Sequence, residues 1–235
     1  TNPSVFRNLH ITNKIATEFN GSYESKLGTT GFGLEFSKYM IQSNNLGDAE
    51  REIATLFFEH RFTFFNQMLD VTPGVAVSYF SDFDNKAFPG IDIGLKLSER
   101  LRLYSNVGYT YRVPTYTDLN YSDPSTLGNT DLQAERAFGQ EIGVKYHTTT
   151  LDLTVAFFNR DTENFIDYRR ATPADLWQPV NIDVQTKGFE SSDKYNFITQ
   201  KVKHQLQYGY TYIDDNIDTD LTSKNGINSM RHQVV

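Results

Sequence analysis

The residue patterns that support covalent catalysis are missing from this sequence. No Gly-x-Ser-x-Gly segment places a serine nucleophile on a strand-to-helix elbow. Gly31-Phe32-Gly33 opens like a dinucleotide fingerprint, but the third glycine and the following helix are lacking, so it reads as a glycine pair in a strand. The five histidines, His10, His60, His147, His204 and His232, are scattered without the helical pairing of a zinc site. Asp214-Asp215-Asn216-Ile217-Asp218-Thr219-Asp220 offers oxygens to calcium, yet it lacks the Gly and terminal Glu of an EF-hand loop and reads as a solvated loop. The alternating charges Asp92, Lys96, Arg102, Glu141 and Lys145 read as the lining of a polar interior. The sequence therefore assigns no catalytic residue, no metal ligand and no cofactor.

Binding chemistry is better represented. Tyr116, Tyr121 and Asp123 fall in one long polar stretch, and Tyr168, Arg169, Arg170 and Trp177 in another. Aromatic rings give large contact area and guanidinium or carboxylate groups give charge pairing, a combination suited to a bulky ligand. These seven are the expected ligand-contacting residues.

The elements that must hold them show a period of two. In Ile91-Asp92-Ile93-Gly94-Leu95-Lys96-Leu97 every odd position is apolar while the even ones are Asp, Gly and Lys. Leu101 to Arg112 places Leu101, Leu103, Val107, Tyr109 and Tyr111 opposite Arg102, Asn106, Thr110 and Arg112. The pattern recurs in Phe138 to Tyr146, Leu151 to Phe157 and Val202 to Tyr212, in Leu9 to Phe19, Gly31 to Tyr39, Ile53 to Phe65 and Val71 to Phe80, and less cleanly from Pro179 to Tyr195. Roughly ten strands and the start of another are expected.

Connections alternate in length. Short ones lie near Gln67, Glu99, Thr149 and Thr199; long ones run from Ile41 to Arg51, Val113 to Arg136, Asp161 to Gln178 and Asp214 to Met230, with Ser81 to Ala87 intermediate. Tight turns at one end and long loops at the other mark an outer-membrane barrel. About ten residues at roughly 3.3 Å each, tilted near 45°, give roughly 23 Å of height, close to the apolar band of about 25 Å. Tyr109, Tyr111, Tyr208, Tyr210, Tyr212, Phe62, Phe64 and Phe65 lie near strand ends, as interfacial aromatic girdles require.

Composition agrees. Aromatic residues make up 14% of the 235, with 18 Phe and 14 Tyr against one Trp, which favours pleated, half-buried surfaces. No stretch approaches the roughly 20 consecutive apolar residues of a spanning helix, and mean hydropathy is -0.50. A barrel strand faces lipid on one side only, so this value does not exclude a barrel. A net charge of -7 and the absence of a basic stripe argue against nucleic acid as a partner. With no Cys there is no disulfide framework and no thiolate metal site.

One region resembles a known family. Tyr111-Arg112-Val113-Pro114-Thr115-Tyr116-Thr117-Asp118-Leu119, then Leu127-Gly128-Asn129-Thr130-Asp131-Leu132-Gln133-Ala134-Glu135-Arg136, then Glu141-Ile142-Gly143, resembles the signature of TonB-dependent receptor barrels. There an aromatic-Arg-x-Pro element ends one strand, and Gly-Asn-x-x-Leu-x-x-Glu leads into the next. Ala134 stands where the motif usually has Pro. Phe88-Pro89-Gly90-Ile91-Asp92 and Gly188-Phe189-Glu190 are similar to the branch that includes cobalamin and siderophore receptors. The resemblance covers most of the chain from about Ile53.

It implies an all-β, antiparallel transmembrane barrel of 22 strands, of which residues 1–235 would form ten to eleven, with the plug domain and the C-terminal strands lying elsewhere. The start at Thr1 without a leader and the end on Val234-Val235 fit an excised segment. The implied function is uptake of a large scarce nutrient, an iron siderophore or cobalamin, across the bacterial outer membrane. The implied partners are outer-membrane lipid, a plug in the lumen, and TonB acting through that plug. Arg112, Pro114, Gly128, Asn129, Leu132 and Glu135 are expected to fix loop geometry at the rim. Two rivals are a soluble secreted or periplasmic β-rich binding module, which gives no reason for sorted loop lengths, and a barrel enzyme, for which no rim constellation is found.

Overall fold

The computed structural model describes residues 8–225 and 230–235. Ten long strands follow the alternating segments: β1 (His10–Ser25), β2 (Gly28–Ser43), β3 (Ala49–Phe64), β4 (Leu69–Phe80), β5 (Lys86–Lys96), β6 (Leu101–Arg112), β9 (Glu135–His147), β10 (Leu151–Arg170), β11 (Gln178–Thr199) and β12 (Val202–Ile217). Between β6 and β9 lie a short helix α1 (Tyr116–Asn120) and the small hairpin β7 (Ser122–Asp123) and β8 (Thr126–Leu127). After β12 come β13 (Thr222–Ser223) and β14 (His232–Val234), the latter the start of an eleventh wall strand. Among the described residues no helix is long and apolar enough to cross a membrane.

Every pairing in the main sheet is between antiparallel neighbours, in the order β1-β2-β3-β4-β5-β6-β9-β10-β11-β12-β14, with β13 added to β10. The sheet is open, since β1 and β14 end the path. Register carries the apolar face from strand to strand. Leu34 pairs with Leu56 and Leu56 with Val77; Ile142 pairs with Phe157, which pairs with Phe189, which pairs with Tyr212. These apolar rows are bare: Leu56 is 58% exposed, Phe157 59% and Ile142 61%. An apolar face left uncovered by protein across the whole sheet fits lipid, where burying it costs nothing and exposing it to water would.

The opposite face is polar. Asp70 lies between Arg61, at 3.0 Å, and Arg102, at 2.7 Å. Gly94 admits this contact, because a Cβ there would stand 2.0 Å from Arg102 Nη2.

The ends are sorted. Residues 26–27, 65–68, 97–100, 148–150 and 200–201 make the turns at one end, while 44–48, 81–85, 113–134 and 171–177 connect strands at the other, where the described residues 218–225 also lie; the rest of the expected loop from Asp214 to Met230 falls partly outside the described residues. Three expectations need correction. Most of the span from Asp161 to Gln178 is strand, and only 171–177 connects; likewise β12 continues to Ile217, and the expected long stretch from Ile41 to Arg51 reduces to 44–48. The reason is physical: above the bilayer both faces of a strand meet water, so pairing persists while alternation stops. β10 takes a bulge there, where its register with β11 shifts between Thr162 and Phe165 and Asn164 adopts φ 56°. The chain's own buried apolar residues, including Leu132, Ala137, Ile166, Ile182 and Val184, gather toward this loop end.

Candidate functional site

The loop end is built around one ion pair. Arg112, the last residue of β6, is paired in register with Glu135, the first of β9. Its guanidinium donates to both carboxylate oxygens, Nε to Oε2 at 2.8 Å and Nη2 to Oε1 at 2.5 Å, the fork geometry that makes such pairs strong. Glu135 is buried, and Oε1 also accepts the Ile166 N–H at 2.7 Å, tying the bulged part of β10 to the pair.

Pro114 turns the chain out of β6, and its carbonyl accepts from Arg51 at 3.0 Å. Thr115 caps α1, with Thr115 Oγ1 accepting the Asp118 N–H at 3.1 Å, while Asp118 Oδ2 accepts the Thr115 N–H at 2.9 Å and the Thr115 hydroxyl at 2.8 Å. Asp118 is buried and has further partners in Arg112, at 3.4 Å, and the Tyr168 hydroxyl, at 3.3 Å. This carboxylate joins the 113–134 segment to β10, and the sequence reading missed it. The Thr-x-x-Asp capping pattern at 115–118 was the available signal.

The second half of the motif closes the segment. A Cβ at Gly128 would meet the Leu119 carbonyl oxygen at 2.6 Å, so only glycine permits this approach. Asn129 donates its side-chain amide to Pro179 O at 3.1 Å and accepts the Asp131 N–H at 2.9 Å. Leu132 is buried beside them at 5% exposure.

Of the seven expected ligand contacts, Tyr116, Tyr121 and Asp123 lie in the 113–134 segment and Trp177 in the 171–177 loop, whereas Tyr168, Arg169 and Arg170, expected on a loop, form the end of strand β10. Tyr116 stacks under Arg51 at 5.1 Å, and burial raises its phenol pKa. The Tyr121 hydroxyl donates to Asp123 at 3.0 Å, and that hydrogen bond raises the phenol's pKa. Asp123 is held below the usual carboxylate range, first by the Ser125 backbone N–H and then by the Ser125 hydroxyl. Tyr168 is committed to Asp118 through its hydroxyl. Arg169 is buried, paired with buried Asp167 at 2.8 Å, and donates to Leu221 O at 2.7 Å. Arg170 stacks on Trp177 at 4.1 Å and donates to Pro173 O at 3.0 Å.

Loops of distant sequence are laced to one another. Trp177 N–H donates to Ser125 O and Leu127 N–H to Trp177 O, each at 2.9 Å, joining the 171–177 loop to the β7–β8 hairpin. Lys224 Nζ donates to Thr126 Oγ1 at 3.0 Å, and the side chain of Asn45 bridges to the backbone of Ser122. Arg51 Nε donates to both carboxylate oxygens of Asp82, at 2.8 and 2.9 Å. Such contacts span tens of residues and leave no local pattern. Among the described residues no group of His, Cys, Asp and Glu could hold a metal ion.

A two-faced antiparallel wall with turns at one end and an aromatic, arginine-bearing rim at the other defines a segment of an outer-membrane receptor barrel. The family model described as TonB dependent receptor-like, beta-barrel matches residues 4–234, and the chain belongs to that family. Its place is the outer membrane.

Among known sequences it is 27% identical over 128 residues to the vitamin B12 transporter BtuB of Vibrio vulnificus (strain CMCP6), covering 54% of this chain and 20% of that one. It is 29% identical over 140 residues to hemoglobin-haptoglobin-binding protein A of Haemophilus influenzae, covering 52% and 13%. Among solved structures, the siderophore receptor PirA of Pseudomonas aeruginosa superposes with a TM-score of 0.75 at 18% identity, over 88% of this chain and 41% of that one. The copper transporter OprC gives 0.75 at 13% identity, over 92% and 39%. At these identities the structural likeness shows the fold. The chain spans well under half the length of these relatives.

Proposed function

We propose that this chain forms part of the wall and rim of a 22-stranded receptor that imports a large scarce nutrient, of the iron-siderophore or cobalamin type, across the outer membrane. A separate plug closes the lumen, and energised TonB displaces it to pass the ligand inward. The chain performs no catalysis; it supplies a closed wall, affinity and selectivity. The observation that carries this reading is the rim, where segments far apart in sequence are laced together around Tyr116, Tyr121, Asp123, Tyr168, Arg169, Arg170 and Trp177. Vitamin B12 and siderophores appear in the names of relatives and support the ligand class.

Within the seven, the Arg170–Trp177 stack and the Tyr121–Asp123 pair are proposed to touch ligand. Tyr168, whose hydroxyl donates to Asp118, and Arg169, which donates to Leu221 O, are proposed to hold the rim in shape.

The test is uptake by cells carrying the intact receptor, using radiolabelled cobalamin and a ferric siderophore as probes, with and without TonB. Uptake of one probe that vanishes without TonB and weakens in Arg170→Ala/Trp177→Ala supports the reading. Uptake of neither probe, or uptake indifferent to TonB, overturns it.

A further inference from the structure

Alternation is broken along β11, and the register shows what the break contains. On the outward face Phe189 is followed by Ser191 and Asp193, which pair with Val155 and Leu153 of β10 and with Tyr210 and Tyr208 of β12. A carboxylate therefore lies among apolar and aromatic neighbours on the side of the wall that meets lipid. Its depth is not marginal. Asp193 stands as far from the end of its strand at Thr199 as Phe157 stands from the start of its own at Leu151, roughly 14 Å up an apolar band of about 25 Å. Lipid headgroups do not reach that level, and a carboxylate there needs a partner from protein.

Within the chain it has only part of one. Asp193 Oδ2 accepts from the Ser191 hydroxyl at 3.2 Å, whereas Oδ1 has no hydrogen-bond partner, and no cation pairs with the carboxylate among the described residues. Rotation about the Cβ–Cγ bond exchanges the two oxygens, so the spare acceptor can be turned outward. Beside it stands a spare donor. Tyr208, directly opposite in the register and 48% exposed, makes no hydrogen bond through its hydroxyl among the described residues. Tyr195 and Leu206, the next outward pair toward the turn, continue the patch as exposed apolar surface. A patch with an unmet acceptor and an unmet donor side by side is complementary to itself.

We propose that the outward face of the β11–β12 hairpin is where two copies of the receptor meet in the membrane, Tyr208 of each donating to Asp193 of the other. A two-fold contact uses the same patch twice, so it needs donor and acceptor together. It also needs them at similar depth, because the axis relating two barrels in one bilayer runs along the membrane normal. Residues paired across neighbouring strands differ in depth by roughly 3–4 Å at a 45° tilt, within the reach of a tyrosine ring. A basic group on a different protein would satisfy Asp193 but leave Tyr208 without a role. The inference rests on the outer-membrane barrel reading, and the experiment separates the two.

The intact receptor is expressed in outer membranes with one cysteine introduced, at Leu206→Cys beside the patch or at Leu34→Cys on the outward face of β2, and treated with a short bismaleimide. Leu206→Cys should give an adduct of twice the receptor mass, and Leu34→Cys only the background of random collision. Adding Tyr208→Phe or Asp193→Leu should weaken association roughly tenfold, read from dimer yield across a series of expression levels, since symmetry removes two hydrogen bonds at once. The double variant should be no weaker than either single one. Asp193→Leu takes a carboxylate off the lipid face, so urea unfolding should find its barrel at least as stable as the parent, which separates loss of the dimer from misfolding. Equal cross-linking at Leu206→Cys and Leu34→Cys, or a dimer indifferent to Tyr208→Phe, overturns the proposal; an adduct of any other mass overturns it in favour of a different protein as partner. A receptor that sits in membranes as a monomer overturns the dimer and leaves the barrel standing, whereas one recovered in the soluble fraction overturns both.

Discussion

At the residue scale, Glu135 is the group whose removal should be felt most. It is buried, neutralises Arg112 and accepts the Ile166 N–H. Replacing it by Leu orphans a backbone donor and a guanidinium, at about 1–3 kcal/mol for the buried donor and somewhat more for the charge, discounted because Arg112 is half exposed. Urea unfolding of the folded barrel should show a loss in that range. The exposed Lys96–Glu99 pair offers the contrast, and Glu99→Ala should change stability by less than about 1 kcal/mol.

Asp123 carries the pH dependence of the β7–β8 hairpin. Its folded-state pKa lies below the ordinary value because Ser125 donates to the ionised form. A depressed carboxyl pKa contributes stability that is fully present above the unfolded value of about 4 and is lost as pH falls through the lower folded value. Hydrogen exchange across 122–128, corrected for intrinsic rates, should therefore speed up on acidification, and Asp123→Asn should abolish that dependence. An unchanged slope in the variant would remove Asp123 from the account.

At the scale of elements, the bulge in β10 sets how the outer part of the β10–β11 hairpin meets the 113–134 segment. Asn164 occupies the left-handed position, donates its N–H to Asp183 at 3.1 Å, and offers its carbonyl to Asn181 at 2.7 Å. Asn164→Val keeps both backbone bonds but places a β-branched residue at positive φ, which should cost about 1–2 kcal/mol. Asn164→Gly should be close to neutral. Thermal or urea unfolding ranks the two, and equal effects would show that backbone strain is not what the asparagine relieves.

These elements also show how far the sequence reached. All ten long strands, the start of the next, and the sorting of turns and loops were legible, because lipid on one side and water on the other force alternation onto every crossing strand. The extensions of β10 and β12 were not legible, since residues such as Asn164 and Asp167 lie where neither face meets lipid. The Arg112–Glu135 pairing could be anticipated from the motif, whereas Arg51–Asp82 and Arg169–Leu221 arise only when loops distant in sequence fold together.

For the whole molecule, stability depends on an outward face that only a bilayer can satisfy. A charge at the middle of that face is the sharpest probe. Phe157→Arg should cost about 2–4 kcal/mol at the bilayer midplane, whereas Ser192→Arg, on the polar inner face, should be tolerated. Folding into vesicles followed by urea titration measures both. Equal penalties would mean that the two faces had been assigned the wrong way round.

The sequence by itself determined the class of protein. Period-two alternation is a local property of each strand, written in consecutive residues, and the rim motif is likewise nearly continuous from Tyr111 to Glu135. It also supplied the list of aromatic and charged loop residues. Only the tertiary structure decided their condition: Arg169 is locked against Asp167, Arg170 lies on Trp177, Tyr168 is tied to Asp118, and Phe65 projects from a turn of left-handed residues. Each of these depends on long-range pairing or on backbone angles, and neither leaves a period in the chain. The environment that a strand must satisfy repeats along it and can be read; the partner that a loop side chain finds is settled by which strands stand side by side.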